Sequence, residues 1–216
     1  MKVLVIGANG NTGFRTVQRL MGASHEPVAM IRDPKQRQRF DEIGAATVLG
    51  DLEYPIDHAV RGCDAVIFAA GSGGKTGKDK TVLIDHLGGI RAAVTALVQG
   101  ATRFVMLSGM NAAVDAETKI THYHRAKGFA DRFIREMPEV MEGRSLDWTI
   151  VCPGGLHDEA NDERVELRTD IHGTGRTSRD TVAAALASCL DHPNTIGRQF
   201  AILDGDTPLS DAIANI

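Results

Sequence analysis

Aromatic residues are scarce in this chain, at 5% of 216 residues with one Trp and two Tyr, and there are three cysteines. Cys63, Cys152 and Cys189 are widely separated and odd in number, which speaks against a disulfide framework and reads as reduced thiols of a cytoplasmic protein. No Cys/His cluster shows metal-ligand spacing, so no metal is expected. Long basic runs are missing as well. With 24 Lys and Arg against 28 Asp and Glu, the net charge is −4, which argues against nucleic acid as a main partner. The first apolar run ends at Gly7 and no later one approaches a membrane span, so neither a secretory signal nor a membrane partner is expected. The remainder is ordinary: 43% hydrophobic and 24% charged residues suit one well-buried α/β domain in a chain of this length.

The first thirteen residues, MKVLVIGANGNTG, carry the most information. Val3 to Ile6 is a short apolar run rich in β-branched residues, and Val17, Leu20 and Met21 then recur with helical spacing. Between strand and helix stand Gly7, Gly10 and Gly13. Gly7 permits a sharp turn, Gly10 removes a side chain that would block phosphates, and Gly13 allows close helix–strand packing. Backbone N–H groups around Asn11 and Thr12, at the positive end of the helix dipole, attract an anion. The spacing is G-x-x-G-x-x-G rather than the commoner G-x-G-x-x-G.

Strands are predicted at 2–6, 27–31, 46–49, 64–69, 103–108, 147–151 and near 199–203. Helices fit 11–22, 34–43, 79–99, 122–136, 179–191 and 208–215, with a short turn near 55–60. Such alternation predicts a single Rossmann-type doubly wound parallel sheet with helices on both faces and a ligand at the carboxyl ends of the strands. Residues 1–216 then form one NAD(P)-binding domain, with a small substrate-side region from about 153 to 216. The stretch from Pro153 to Thr177 is the least regular, and it reads equally as cover for a substrate cleft or as a surface excursion.

The second strand ends in Ile31-Arg32-Asp33-Pro34, beside the expected adenosine ribose. An acidic residue there would bind the ribose hydroxyls of NAD, and an Arg would pair with the 2′-phosphate of NADP. Asp33-Pro34-Lys35-Gln36 also reads as an N-cap, a first-turn proline and a capping-box glutamine. That leaves Arg32 for the phosphate, with Lys35 or Arg37 as helpers, and favours NADP over NAD. Asp51, in Gly50-Asp51-Leu52, serves equally as an adenine contact or a turn aspartate. Ala69, Ala70 and Gly71 are small enough to let a flat cofactor lie against the fourth strand. The glycine-rich loop Ser72–Lys78 reads as a rim near the nicotinamide.

Tyr123 and Lys127 lie four apart on a predicted helix and share a face. A nearby ammonium favours the phenolate and lowers the Tyr pKa toward the range of a general acid or base. Ser108, ending the fifth strand, could hydrogen-bond a substrate carbonyl. Tyr123 also belongs to an apolar stripe with Ala126, Ala130, Phe133 and Ile134, so a core role competes. His122 and His124 point to different sides of the helix and make poor metal partners. Ser108 lacks the flanks of a hydrolase nucleophile elbow.

Together, Gly7-Ala8-Asn9-Gly10-Asn11-Thr12-Gly13, Ile31-Arg32-Asp33-Pro34, Gly50-Asp51-Leu52, Tyr123-x-x-x-Lys127 and Trp148 to Gly154 resemble the atypical short-chain dehydrogenase/reductases. The branch that looks most similar is the small NAD(P)-binding proteins of epimerase/dehydratase type, themselves similar to NmrA-like regulators and biliverdin reductase B-like flavin reductases. The resemblance extends to the late helix start Ser178-Arg179-Asp180. It implies pyrophosphate binding by the glycine loop including Asn9, NADP selection by Arg32, and adenine contacts at Asp51 and Leu52. It further implies that Lys127 holds the nicotinamide ribose, that Tyr123 donates a proton, and that Pro153 and Gly154 close over the nicotinamide.

Three departures stand out. Cys152 occupies the place where an Arg commonly precedes Pro-Gly, the 79–99 helix has no Asn, and the long C-terminal portion of sugar-nucleotide epimerases is lacking. A small substrate is therefore expected rather than a nucleotide sugar. The reading that follows is an NADP(H)-dependent oxidoreductase acting on a small carbonyl, quinone or flavin. A non-catalytic NADP(H) sensor and an epimerase/dehydratase with bound NAD stand as alternatives. The expected partner is a small-molecule substrate, and a homodimer is left open.

Overall fold

The structure, a computed structural model, describes residues 1–74, 76–141, 144–159 and 161–216. Seven strands run parallel in the order β3-β2-β1-β4-β5-β6-β10: β3 (Ala46–Leu49), β2 (Glu26–Ile31), β1 (Lys2–Ile6), β4 (Ala65–Phe68), β5 (Arg103–Leu107), β6 (Asp147–Pro153) and β10 (Arg198–Asp204). The chain reverses its direction of winding between β1 and β4, so the carboxyl ends of these two strands open a crevice.

Side-chain alternation divides the core between two faces. Val3 and Val5 point into one layer with Val17, Leu20, Val182 and Leu186, under α1 (Asn11–Met21) and α7 (Arg179–Ser188). Leu4 and Ile6 point into the other with Phe68, Phe104, Ala92 and Ile134, under α5 (Leu87–Gln99) and α6 (Thr121–Val140). The minor helices are α2 (Arg37–Asp41), α3 (Asp57–Val60), α4 (Lys78–Lys80) and α8 (Leu209–Ala214).

The parallel sheet with helices on both faces is as the sequence predicts, with two further strands added antiparallel at one edge. β8 (Arg164–Arg168) pairs antiparallel with β10, and β11 (Thr207–Pro208) pairs antiparallel with β8 at the edge. β7 (Gly155–His157) and β9 (Arg176–Ser178) form a separate two-stranded parallel ribbon. The irregular stretch after Pro153 therefore contains three short strands, two of them only three residues long and the third carrying exposed charges at alternate positions, which hid them.

α4, a π-helical turn (Thr81–His86) and α5 make one helix, Lys78–Gln99. By length and composition this helix could cross a membrane, which the sequence reading did not anticipate. Half of its most apolar window is buried, and Gly89 packs so closely that a Cβ there would meet Ala130 Cβ and Met106 Cε at 3.2 Å. It is a core helix of the sheet's second face.

Arg103 is buried and pins the far side of the fold. It donates to Thr149 Oγ1 (2.8 Å), Cys189 O (2.6 Å) and Thr195 Oγ1 (3.0 Å), tying β5 to β6 and to the end of α7. Burial pushes its pKa down, and these acceptors satisfy the guanidinium.

Candidate functional site

Two glycines build the phosphate cradle by removing atoms. Gly7 leaves β1 at φ +80°, and a Cβ there would lie 2.5 Å from Ala70 N at the end of β4. A Cβ on Gly13 would overlap the Gly7 carbonyl oxygen, so only glycine lets α1 rest on the turn. Gly10 N-caps α1 without a side-chain cap, and its N–H goes to Gly7 O at 3.0 Å. The helical ladder begins with Phe14 N–H on Gly10 O (2.9 Å), so the N–H groups of Asn11, Thr12 and Gly13 precede it and carry the helix's positive end.

On one side of this cradle lies a cavity of about 350 Å³ lined by Gly7, Asn9, Gly10, Arg32, Leu52, Ala69, Ala70 and Gly71, with Met30 and Ile84 as apolar wall. Asp33 makes the capping box anticipated for it: Oδ1 accepts the Lys35 N–H at 2.9 Å, and Gln36 reaches back to the Asp33 N–H. The Arg32 side chain has no ion-pair or hydrogen-bond partner among the described residues. Asp51 does not line the cavity. Its Oδ1 accepts the Glu53 N–H at 3.0 Å, as a turn aspartate does, while Leu52 and Glu53 form the wall. Sequence reasoning missed Arg39, whose guanidinium donates to Asn9 O (3.1 Å) while stacked 3.6 Å over Phe14. Neither Lys35 nor Arg37 lines this cavity.

A second cavity, of about 590 Å³, joins Gly10, Asn11, Thr12 and Ala69–Gly74 to Ser108, Tyr123 and Lys127. Of the Ser72–Lys78 loop, Ser72, Gly73, Gly74 and Thr76 line it; Lys75 lies outside the described residues. Lys127 is 2% exposed. Its Nζ donates to Leu107 O (3.1 Å) and Ala70 O (3.3 Å) and stands 5.9 Å from the centre of the Tyr123 ring.

Asp85, fully buried in the π-helical turn, places Oδ1 3.3 Å from Lys127 Nζ and accepts the Ser72 N–H on Oδ2 at 2.9 Å. This carboxylate on the 79–99 helix, where no Asn was found, was not singled out from the sequence. Burial opposes the Lys127 charge, but Tyr123, Asp85 and Asp131 outweigh it and hold the pKa above the ordinary lysine value.

Tyr123 runs against expectation. Burial pushes its phenol up, Lys127 opposes, and Asp85 and Asp131 add to the rise. The hydroxyl is thus a proton holder at neutral pH rather than a phenolate.

Ser108 also differs from expectation. It is buried, and Oγ donates to Asp131 Oδ2 at 2.6 Å, so its proton is turned inward and away from a substrate carbonyl. Asp131 stands one turn beyond Lys127 on α6. Gln199 Nε2 donates to the same Oδ2 (3.2 Å) and lies 3.5 Å from the Cys152 sulfur, whose thiol burial pushes up. Asp131 Oδ1 has no hydrogen-bond partner among the described residues.

Burial pushes the Asp131 carboxyl up to about 6, while Ser108, Lys127 and Arg135 pull it down. An unfolded Asp titrates near 3.9, so between the two values the folded protein binds more protons than the unfolded chain. Stability is therefore expected to fall as pH rises from about 4 to about 6, by roughly 3 kcal/mol from this group. Denaturant unfolding of wild type and Asp131→Asn at several pH values should show the variant gaining on wild type across that window. A pH-independent difference would refute the assignment.

A third cavity, of about 460 Å³, is lined by Pro153, Gly154, Gly173–Gly175 and Asn111, and it shares Ser108, Tyr123 and Arg179 with the second. Pro153 and Gly154 thus border the side beyond Tyr123, away from the glycine loop.

A profile of NAD(P)H-binding proteins matches residues 7–193. The chain belongs to that family. It is an atypical short-chain dehydrogenase/reductase of epimerase-like type. It is 38% identical to YhfK of Bacillus subtilis, an uncharacterized sugar epimerase by name, with all of both chains covered. A solved Bacillus halodurans protein, provisionally described as an NAD-dependent epimerase/dehydratase, is also 38% identical, with a TM-score of 0.92 and full coverage of both chains. ChuY of Escherichia coli, an anaerobillin reductase, shares the fold at 20% identity and TM-score 0.78, covering 95% of this chain and 98% of that one.

The site's residues fit a dinucleotide. The cradle N–H groups suit a pyrophosphate, the Met30, Leu52 and Ile84 wall suits an adenine, and Lys127 stands where the second cavity would take the nicotinamide half.

Proposed function

We propose that the protein is an NADP(H)-dependent oxidoreductase that reduces a small carbonyl, quinone or flavin acceptor. The observation that carries this reading is the Tyr123–Lys127 pair, the lysine buried and the tyrosine half-buried, in the same cavity as the glycine-loop N–H groups. NADPH, when bound, supplies the hydride. Tyr123 holds a proton at Oη and delivers it to the acceptor oxygen, and the Lys127 ammonium favours the phenolate left behind. Asp85, Leu107 O and Ala70 O fix that ammonium in place. While Asp131 is ionised it takes the Ser108 proton in a hydrogen bond, so the proton to the acceptor oxygen comes from Tyr123 and not from Ser108.

Arg32, unpaired among the described side chains at the mouth of the first cavity, supports NADP over NAD. Loss of charge-assisted hydrogen bonds to a 2′-phosphate costs about 1.5–3 kcal/mol, a roughly ten- to hundredfold effect. Arg32→Ala is accordingly expected to weaken NADPH binding by that factor and to leave NADH binding unchanged, as measured by cofactor titration. Equal losses for both cofactors would assign Arg32 a structural role.

The epimerase names of the two relatives at 38% identity favour a second reading, in which the hydride returns to the same substrate. That reading predicts oxidised NAD copurifying with the protein and no net consumption of NADPH.

A further inference from the structure

Resting on the oxidoreductase reading, the geometry points to a carboxylate-bearing acceptor, read by Arg179. The second and third cavities share the wall formed by Ser108, Ile120, Tyr123, Leu156 and Arg179, where an acceptor must sit to reach both cofactor and proton donor. Arg179 is the one group on that wall with a permanent positive charge, and no Asp or Glu lines either cavity among the described residues. In a chain of net charge −4, this carboxylate-free pair of cavities is a local departure that favours an anion.

The side chain is also held in position. Arg179 opens α7 directly after Ser178, whose Oγ caps the helix by accepting the Asp180 N–H. Arg179 Nη1 donates to Asp158 Oδ2 at 2.9 Å, and Asp158 is shared with Arg15, which also bonds Asp180. One edge of the guanidinium is thereby anchored, while the rest makes no hydrogen bond among the described residues and is partly exposed. A planar fork so presented suits a carboxylate. Ile120 and Leu156 are exposed at the same wall and suit an apolar body joining the carboxylate to the reducible group.

The same guanidinium chemistry would also accept a cofactor phosphate, because the second cavity reaches Asn11 and Thr12. We commit to the acceptor's carboxylate because Arg179 lies on the shared wall and also lines the third cavity, whose described lining includes no residue of the glycine loop.

The test is benzoate binding by calorimetry to wild type, Arg179→Gln and Arg179→Lys, each with and without saturating NADP⁺, alongside NADP⁺ titrations of all three proteins. This readout needs no turnover, so it survives failure of the oxidoreductase reading. Wild type should bind benzoate, Arg179→Gln should bind it about ten- to a hundredfold more weakly, and Arg179→Lys should fall between. NADP⁺ affinity should be unchanged throughout. Absence of benzoate binding by wild type, or equal binding by wild type and Arg179→Gln, overturns the proposal. A matching loss of NADP⁺ affinity with benzoate binding intact also overturns it and assigns Arg179 to the cofactor phosphate. Should turnover be found, para-carboxybenzaldehyde should outperform benzaldehyde in wild type, and that preference should vanish in Arg179→Gln.

Discussion

Replacing Lys127 with methionine is expected to destabilise the protein by about 3–5 kcal/mol and to abolish turnover. The ammonium is almost wholly buried and is the cation facing Asp85, whose carboxylate is fully buried in the π-helical turn. Removing it leaves Asp85 charged and uncompensated, and it strips a donor from Ala70 O and Leu107 O. The double variant Lys127→Met/Asp85→Asn separates the two consequences. A neutral amide keeps the volume at position 85 and can still accept the Ser72 N–H, so most of the stability should return. Turnover should not, because no ammonium remains to favour the Tyr123 phenolate. Denaturant unfolding and steady-state kinetics on both variants decide the matter. A single variant as stable as wild type would show that Asp85 carries no uncompensated charge, and recovery of turnover in the double variant would remove Lys127 from the chemistry.

Tyr123→Phe is expected to lower kcat by about a hundred- to ten-thousandfold, the usual span for one positioned proton donor. NADPH affinity should be unaffected. The variant should also fold normally, since the ring stays and the hydroxyl makes no hydrogen bond among the described residues. Burial holds the Tyr123 phenol above its ordinary value, so wild-type kcat should show no alkaline decline from this group below about pH 10. A variant that retained full turnover would leave hydride transfer in place but assign the proton to solvent, as suits a flavin or quinone acceptor.

Legibility in the sequence followed the range of the interactions involved. The parallel strands could be read because burial on both faces makes them continuous apolar runs, as in Val3–Ile6 and Ala65–Phe68. The glycine turn, the Asp33 cap and the Tyr123–Lys127 pair rest on spacings of a few residues, so the chain itself displays them. The strands β7, β8, β9 and β11 are short and partly exposed. Arg164-Val165-Glu166-Leu167-Arg168 does alternate with period two, which was the available signal for β8.

Asp85 and Asp131 escaped notice for a different reason. Each owes its significance to a partner on another element: Lys127 for Asp85, Ser108 for Asp131. Two local hints existed. Asp131 continues the Tyr123, Lys127 face by one more turn, and Asp85 interrupts the apolar run Val82-Leu83-Ile84. The inward turn of the Ser108 hydroxyl has no sequence signature at all. The net rise of the Tyr123 pKa likewise depends on burial, which outweighs the neighbouring lysine that the spacing suggested would lower it.

The most direct test of the account is NADPH oxidation against a panel of quinones, flavins and small aldehydes, with NADH in parallel. The account predicts turnover on at least one acceptor, preferring NADPH and lost in Lys127→Met. Tight NADPH binding with no turnover on any acceptor would contradict it and leave a protein that senses the cofactor without consuming it.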